Sequence, residues 1–219
     1  MKIKLFGLVL LSLPIYAEAE VNVYSEALIG KANNELYAKD DFDGSKRASS
    51  AMSDSFGLRL GFELTEQLAL EISKHYHGEA PAEYTVHRST TIPGSNEGPF
   101  TTSYNVVLPI DTESLRLGVK GKIALSNKVN ANIRVGIAHW KYKDVLPAQL
   151  VSPDNTGSGD SGNDIYTAVG FNYQLTDNLY AGLEYALINI KESQEYDYGG
   201  NVKYEHNLHE LSIVLGWAF

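Results

Sequence analysis

The chain ends on the alternating stretch Leu211-Ser212-Ile213-Val214-Leu215-Gly216-Trp217-Ala218-Phe219. Successive side chains of a β-strand point to opposite faces, so the odd positions of this stretch share one face. These odd positions are all large and apolar, whereas the other face carries Ser212, Gly216 and Ala218 beside the single large residue Val214. A strand with one apolar face that continues to a terminal aromatic residue is typical of a barrel wall in lipid. The ending therefore predicts a closed transmembrane sheet.

Short polar turns occur three times inside the chain, each between two long alternating runs. They are Leu64–Leu68, Leu125–Val129 and Leu175–Leu179. In each turn the first leucine is followed by Ser or Thr, and hydroxyl and amide side chains readily form local hydrogen bonds with the backbone of a turn. Each of these turns therefore predicts a β-hairpin.

The three hairpins supply six strands, and one strand at each end of the exported chain raises the count to eight. The predicted strands are Val21–Lys31, Ser55–Leu64, Leu68–His77, Ser114–Leu125, Val129–Tyr142, Asp164–Gln174, Leu179–Lys191 and His206–Phe219. Pairing the first strand with the last removes both exposed sheet edges. The predicted fold class is therefore all-β: an eight-stranded antiparallel transmembrane β-barrel, the smallest usual size of membrane barrel.

The remaining connections are long and polar, and all of them fall on one rim of the predicted barrel. They are Ala32–Asp54, Gly78–Glu113, Lys143–Asn163 and Glu192–Glu205. Outer-membrane barrels have short turns in the periplasm and longer loops outside the cell. We therefore expect short periplasmic turns and four long extracellular loops, a regularity that a soluble sandwich or lipocalin-like domain would not require.

The first 19 residues have the pattern of a secretory signal peptide. Two lysines precede the apolar run Leu5–Leu13, and the small residues Ala17 and Ala19 are the two candidate cleavage positions. The expected domains are a signal peptide over 1–19 and an outer-membrane β-barrel over 20–219. No later stretch approaches the roughly 20 uninterrupted apolar residues that a helical membrane span requires.

Composition narrows the class of protein further. The chain has 27 acidic and 18 basic residues and a formal net charge of -9, which argues against nucleic-acid binding. It has no cysteine, so no disulfide can hold an exported chain of this length together. Its 14 tyrosines and 19 glycines suit strands with aromatic girdles better than a helical bundle.

Side-chain parity places the charges of the predicted strands opposite the apolar belt, inside the barrel. These inward charges are five acids and five bases: Glu26, Glu63, Glu71, Glu184, Glu210, Arg59, Arg116, Lys120, Lys122 and Arg134. Side chains just fill the interior of an eight-stranded barrel, and charges buried there are tolerable only when they are paired and hydrogen-bonded. We expect a salt-bridged plug in which inward glycines leave room for long side chains. The alternative is a gate whose ion pairs exchange partners and open a narrow ion channel.

Three segments resemble parts of the OmpA-like transmembrane domain. Phe56–Tyr76 is similar to its second and third strands, Ser114–Trp140 to its middle hairpin, and Asp164–Ile190 to its last hairpin. The alternation at the end of the chain resembles the C-terminal signal that the barrel assembly machinery recognises, carried here by Leu211, Ile213, Leu215, Trp217 and Phe219. Small barrels of the OmpX and opacity types share much of this pattern.

The resemblance implies a monomeric, non-enzymatic barrel in the outer membrane of a Gram-negative bacterium. Its role would be structural or adhesive, and its partners would be outer-membrane lipid, lipopolysaccharide, and host or phage ligands of the loops. Glu71 and Lys120 match family positions whose charges contribute to a lumen gate. Asn172 and Gly182 stand where the other acid and base of that gate align, although Arg134 and Glu184 could supply a rearranged network. The resemblance does not extend to the periplasmic peptidoglycan-binding domain of the longer family members.

A lipid-modifying barrel enzyme is a third hypothesis, because polar residues cluster near the end of the third predicted strand. They are His75, His77, Glu79, Glu83, His87 and Ser89. No strained nucleophile turn accompanies them, so we interpret them as polar rim residues, and two histidines alone are a weak indication of a metal site. The acidic stretches Asp40–Gly44 and Asp154–Asp164 lack the spacing of an EF-hand and indicate solvated loops. We expect no catalytic residue, bound metal or cofactor.

Overall fold

The computed structural model of this chain describes residues 22–41, 44–90, 100–143, 145–151, 160–195 and 201–219. At positions 84, 86–90, 100 and 104 it describes the backbone alone. The predicted signal peptide and both of its candidate cleavage positions lie outside the described residues. In the described part of the chain, no helix is long and apolar enough to cross a membrane.

Eight antiparallel strands form a closed barrel in sequence order, which confirms the predicted fold class. The strands are β1 (Val23–Asp40), β2 (Lys46–Glu63), β3 (Leu68–Thr90), β4 (Phe100–Ala124), β5 (Val129–Tyr142), β6 (Ser161–Gln174), β7 (Leu179–Glu195) and β8 (Asn201–Ala218). The barrel closes through β1 and β8, whose paired residues run from Tyr24 with Ala218 to Asp40 with Val202. The first and last strands therefore protect each other's edges, as predicted.

The three predicted turns share one local structure. The Thr65 hydroxyl accepts a hydrogen bond from the Leu68 N–H at 3.0 Å. The same bond joins Ser126 to Val129 at 3.1 Å, and Thr176 to Leu179 at 3.1 Å. A hydroxyl residue at the second position of each turn thus satisfies the first backbone donor of the next strand, and all three predicted hairpins are confirmed.

The strands continue much further at the other rim than the sequence predicted. β1 extends to Asp40 rather than Lys31, β2 begins at Lys46 rather than Ser55, and the long loop predicted over Gly78–Glu113 is mostly strand. Apart from the end of β5 at Tyr142, the strands were predicted too short at this rim because their ends were placed where the apolar outer face stops. The alternation itself does not stop there, since it continues with its faces reversed.

The reversal is visible within single strands. In β7, Leu187 is exposed on the outer face, whereas the next residue, Ile188, is buried inside. In β8, Leu211 is exposed outside and Leu208 is buried inside, three positions away. Side chains alternate between the two faces of a strand, so apolar residues separated by an odd number of positions lie on opposite faces. The barrel therefore has a lower half with an apolar outer face and an upper half with an apolar interior.

The upper half contains a hydrophobic core, which a short 3₁₀ helix at Pro147–Leu150 helps to fill. This helix follows β5 and buries Pro147, Ala148 and Leu150, while the preceding Leu146 is buried as well. Side chains from seven strands complete the upper core: Ala32, Leu36, Ala38, Ala82, Ile110, Ala138, Trp140, Tyr142, Tyr166, Ile188, Ile190, Val202, Tyr204 and Leu208. The segment Pro147–Leu150 thus closes the barrel from above, whereas the sequence analysis placed it within a long polar loop.

Gly78 marks the boundary between the two halves on β3. Its φ of 72° lies in the left-handed region that favours glycine, and the pairing of β3 with β4 shifts register between Tyr76 and Glu79. A Cβ at this position would lie 2.3 Å from the carbonyl oxygen of Asp54. The bulge lets β3 leave its ladder with β2, whose pairing ends at Tyr76, and continue upward as a hairpin with β4.

Candidate functional site in the barrel lumen

All ten charges that the sequence analysis assigned to the lumen lie on the inner faces of their strands, in three groups. Eight of them are buried: Glu26, Arg59, Glu71, Arg116, Lys120, Arg134, Glu184 and Glu210. The other two, Glu63 and Lys122, form a partly exposed ion pair of 3.0 Å beside the turns of the lower rim. The lower lumen therefore contains matched charges along its length.

Six of these charges form one neutral cluster in the lower half, built from three glutamates and three bases. Arg134 contacts all three glutamates, at 3.2 Å to Glu26, 2.9 Å to Glu71 and 2.7 Å to Glu184. Arg59 contacts the same three carboxylates, including Glu184 at 2.6 Å. Because each arginine bridges every acid, the cluster crosses the lumen and joins side chains from six strands.

Two tyrosines and the lysine complete this cluster. The Tyr24 hydroxyl donates to Glu71 at 2.5 Å, and the Tyr180 hydroxyl donates to Glu26 at 2.8 Å. Lys120 lies 3.4 Å from Glu26 and 3.8 Å from Glu71, with its ammonium 4.3 Å from the centre of the Tyr24 ring. The charges that match the family gate, Glu71 and Lys120, are thus joined by the alternative pair Arg134 and Glu184.

The inward glycines leave room for rings as well as for charged chains. Tyr24 is the direct cross-strand partner of Gly61, where a Cβ would lie only 2.1 Å from the tyrosine ring. Tyr180 lies over Gly216 in the same way, and Tyr166 lies over Gly136. Each glycine therefore allows a large ring to lie flat against the neighbouring strand and direct its hydroxyl into the lumen.

A second group of charges lies above the six-charge cluster and surrounds Glu210. Arg116 donates to Glu210 at 2.7 Å across the barrel. The Nδ1 atoms of His75 and His77 each lie 3.5 Å from one Glu210 oxygen, and both rings are fully buried. The interpretation of these histidines as rim residues was wrong, because β3 continues past them and their side chains point inward. The side chains of His87 and Ser89 lie outside the described residues.

A polar layer separates this group from the hydrophobic core above. His206 Nε2 donates to the amide oxygen of Asn34 at 3.0 Å, and its Nδ1 accepts from the Tyr142 hydroxyl at 2.9 Å. Asn34 also donates to the hydroxyl of Ser53 at 2.9 Å. Burial lowers the pKa of His206 to about 3, so this ring is neutral at physiological pH. The neutral layer joins a charged interior below to an apolar interior above.

The two acidic stretches have ordinary hydrogen-bond and ion-pair partners where they are described. Asp41 pairs with Lys39 and Lys203, whereas Phe42 and Asp43 lie outside the described residues. Of the second stretch, residues 154–159 lie outside them too, while Asp160 accepts from Tyr204 and Asp164 accepts from the Trp140 indole. Within the described ranges, no group of three His, Cys, Asp or Glu side chains could hold a metal ion.

The last strand presents the five residues of the predicted assembly signal to the outside. They are Leu211, Ile213, Leu215, Trp217 and Phe219, all exposed on the wall. The backbone N–H of Phe219 donates to the carbonyl of Val23 at 2.9 Å. The terminal aromatic residue therefore lies beside the start of β1, where the barrel closes.

The sequence analysis missed the interior of the upper half. Trp140, Tyr142 and Leu150 are fully buried there, yet the first two lay within the last three residues of a predicted strand and the third lay beyond it. Alternation with reversed phase was the available signal, as in Val202, Tyr204, His206 and Leu208, which all point inward. The lumen is consequently closed twice, by paired charges below and by apolar side chains above.

The comparisons with known proteins agree with this geometry. A family model described as the outer membrane protein beta-barrel domain matches residues 5–219. OprG from Pseudomonas aeruginosa is a similar solved structure, with 13% identity, a TM-score of 0.55, and coverage of 91% of this chain and 96% of that one. Neisserial surface protein A also has 13% identity, with a TM-score of 0.51 and coverage of 90% and 97%.

A third similar structure is the outer membrane protease OmpT from Escherichia coli, with 10% identity, a TM-score of 0.51, and coverage of 90% of this chain and 97% of that one. These identities are low, so the three structures support the fold alone. The comparison with curated proteins returned no match. The family model, by contrast, spans nearly the whole chain and agrees with the closed eight-stranded sheet. The chain belongs to the outer membrane protein beta-barrel family and is an outer-membrane protein of a Gram-negative bacterium.

Proposed function

We propose that this protein is a non-enzymatic and non-conducting barrel, whose wall stabilises the outer membrane and whose extracellular half binds partners at the cell surface. The observation that carries this proposal is the double closure of the lumen. Arg59 and Arg134 bridge three glutamates in the lower half, and Trp140 and Leu150 lie fully buried in the upper half. With its interior closed, the barrel acts through its outer wall and extracellular rim.

A narrow gated channel is the second candidate, and the shared partners of the six-charge cluster favour it. Because Arg59 and Arg134 contact the same three carboxylates, ion pairs can change partners without leaving the cluster. The upper core opposes this candidate, since it presents apolar side chains to an ion that has left the charged layer. Moving an unpaired ion into such surroundings carries a large free-energy penalty.

Conductance across a planar lipid bilayer distinguishes the two candidates. We expect no current steps from the wild-type protein or from the variants Glu71→Ala and Lys120→Ala. Lys122→Ala is the matched control, because its ion pair with Glu63 is partly exposed at the lower rim. Current steps in the wild-type protein that change in Lys120→Ala but not in Lys122→Ala would overturn the non-conducting barrel and support the gate.

The surface role can be tested by shortening the tallest hairpin. Thr85 pairs with Asn105, so replacing residues 86–104 by Asn-Gly joins β3 to β4 through a two-residue turn. We expect the variant to fold, with heat-modifiable mobility on gels, and to lose adhesion to host cells or binding of phage. Full surface binding after this deletion, and after the corresponding shortening of the other upper connections, would contradict the surface role.

The absence of catalysis is part of the proposal and has its own test. The buried histidines His75 and His77 face Glu210 and Arg116, so their rings are enclosed by side chains of the lumen. We expect purified protein to release no product from radiolabelled lipopolysaccharide, phospholipid or a peptide library. Product formed by the wild-type protein but not by His75→Gln would show that the barrel is an enzyme.

A further part of the proposal concerns how the protein is assembled into the outer membrane. We propose that the outward residues of β8 are recognised by the barrel assembly machinery, and that the folded protein is a monomer in outer-membrane lipid. Phe219 is exposed beside the closing seam, so truncating its side chain removes a contact surface without opening the core. We expect Phe219→Ala to reduce the amount of folded protein in outer-membrane fractions, with Phe219→Tyr as the conservative control.

A further inference from the structure

An unusual row of lysines crosses the outer wall of the upper half. Lys39 on β1 is the direct cross-strand partner of Lys46 on β2 and of Lys203 on β8. Three lysines therefore lie side by side on one face, although the chain as a whole has a formal net charge of -9. Like charges directly opposite each other on neighbouring strands are destabilising. An anion bound beside the three ammonium groups would relieve their mutual repulsion.

The chain neutralises only part of this positive charge. Asp41 contacts both Lys39 and Lys203 at 2.7 Å, and these two hydrogen bonds lower the pKa of its carboxyl to about 2. Glu205 pairs with a fourth lysine, Lys191, at 3.4 Å. Lys46 forms no ion pair with any residue in the described ranges. Among the described ion pairs on this part of the outer face, three lysines thus meet two carboxylates, Asp41 and Glu205.

A groove of about 410 Å³ lies beside the row. This volume falls within the range of about 300–1,000 Å³ that is usual for small-ligand sites. Its lining comprises Tyr37, Lys39, Lys191, Glu192, Ser193, Lys203, Tyr204 and Glu205. Tyr37, which is 41% exposed, lines the groove with its ring, and Ser193 adds a hydroxyl beside Lys203. Cations, hydroxyls and an exposed ring together form a surface suited to an anionic sugar.

Glu192 lines the groove from the inner face of β7. Its pKa is raised by burial and by the neighbouring carboxylates Asp160 and Asp164. Glu192 adds a carboxylate at the inner edge of the groove.

The height of the row above the membrane narrows the class of ligand. Lys31, paired with Asp54 at 2.6 Å, follows Ile29, the last outward aliphatic residue of β1. Lys39 lies eight residues further along the same strand, roughly 26 Å at 3.3 Å per residue. Acyl chains cannot reach that height even on a tilted strand, whereas the saccharides of the cell surface extend to it.

From the row, its partial neutralisation and its groove, we propose that Lys39, Lys46 and Lys203 bind an anionic saccharide that carries phosphate or sulfate groups. This inference rests on the proposed surface role and names the chemistry of one partner. The same chemistry occurs in the phosphorylated core of lipopolysaccharide and in free sulfated glycans. Tyr37 contacts the sugar ring, and the lysines contact its anionic groups.

The test measures binding by full-length protein folded in nanodiscs of a zwitterionic lipid. The probes are a sulfated hexasaccharide of the heparin type, and lipopolysaccharides with and without core phosphates. We expect Lys39→Gln combined with Lys203→Gln to weaken binding about tenfold at low salt, since exposed charge contacts are individually modest. Asp41→Asn should tighten binding about threefold, because it removes the competing carboxylate.

Lys31→Gln and Asp54→Asn are the matched controls, because they belong to an outward ion pair lower on the same two strands. Heat-modifiable mobility confirms that each variant is folded. The proposal is supported if one probe binds most tightly to Asp41→Asn, less tightly to wild-type protein and least tightly to the double lysine variant. The probe that does so identifies the source of the saccharide. The proposal is overturned if wild-type protein binds neither probe, or if Lys31→Gln weakens binding as much as the double variant. Conductance measurements are independent of both outcomes, so a failure here leaves the non-conducting barrel intact.

Discussion

The two halves of this barrel use the same strands with opposite patterning. In the lower half Leu117 and Ile213 are exposed on the outside, while Arg134 and Glu184 are buried inside. In the upper half the inside holds Trp140, Tyr142 and Leu150, and the outside holds lysines, glutamates and asparagines. The comparison teaches that the medium outside each half decides what its interior contains.

Lipid outside the lower half and water outside the upper half favour opposite arrangements of apolar and polar side chains on the two faces of the wall. Outside the lower half, hydrocarbon is as apolar as leucine, so moving apolar side chains inward gains little, and the interior is stabilised by ion pairs and hydrogen bonds. Outside the upper half, water drives apolar side chains into the barrel by the ordinary hydrophobic effect. Alternation makes the change possible, because a shift of one residue exchanges the two faces.

The largest expected loss of stability comes from a substitution in the lower half alone. Arg134→Ala leaves Glu26, Glu71 and Glu184 with one arginine and one lysine, so the buried cluster acquires an uncompensated negative charge. We expect the free energy of unfolding to fall by about 4 kcal/mol. Urea unfolding of protein folded into lipid vesicles measures this change. Lys122→Ala, at the partly exposed pair with Glu63, should change stability by less than about 1 kcal/mol.

A slightly smaller loss of stability is expected from a substitution in the upper half alone. Leu150→Ala leaves a cavity in the upper core, and we expect a loss of about 3 kcal/mol in the stability of that region. Amide hydrogen exchange should show faster exchange at Val202 and Tyr204, with unchanged protection at Ile213 and Leu215. Equal loss of protection at all four positions would show that the halves unfold as one unit, contrary to their separate interiors.

A third substitution tests how rings and glycines fill the lower lumen. A Cβ at Gly61 would lie 2.1 Å from the ring of Tyr24, whose hydroxyl donates to Glu71. We expect Gly61→Ala to displace that ring and lower the free energy of unfolding by about 2 kcal/mol. Gly121→Ala is the matched control, because its Cβ would lie 3.4 Å from Ile133, which is ordinary van der Waals contact. Equal stability of the two variants, measured by urea unfolding, would contradict the proposed packing.

The smallest effect concerns the polar layer between the halves. Burial lowers the pKa of His206 to about 3, whereas an unfolded histidine has a pKa near 6.5. The unfolded chain therefore binds the proton more readily, and stability is lost as the pH falls from 6.5 towards 3. Between pH 6.5 and 5.5 we expect the free energy of unfolding of the wild-type protein to fall by about 1 kcal/mol more than that of His206→Gln. Unfolding curves of both proteins at the two pH values measure this difference. Identical pH profiles would show that the ring is not enclosed.

Much of the lower half could be predicted because the membrane imposes a strict pattern on the sequence. Strand β5 has its predicted bounds, the three turns contain the predicted hairpins, and Glu71 and Arg134 point inward as their parity indicated. Other upper strand ends, such as those of β1 and β2, could not be placed in this way. There the apolar residues move to the inner face, and a search for an apolar outer face ends too early, as it did at Lys31.

The contacts between side chains inside the lumen could not be predicted from the sequence either. Parity assigns Arg134 and Glu26 to the interior, but these residues are 108 positions apart, and only the stagger of the closed barrel brings them to one level. The same holds for Arg116 and Glu210, which lie on β4 and β8 and meet across the barrel. Contacts across a lumen depend on strand tilt and shear, which no local pattern contains.

The sequence by itself determined the closed sheet, its eight strands, the lower turns and the inward face of each charge, because alternation and turn chemistry are local properties. Only the tertiary structure decided that Arg59 and Arg134 share the same three glutamates, and that the segment at Pro147–Leu150 closes the upper core. It likewise placed Lys39 between Lys46 and Lys203, which come from distant parts of the chain. These contacts arise when the barrel closes, since closure fixes which residues of different strands lie at the same height.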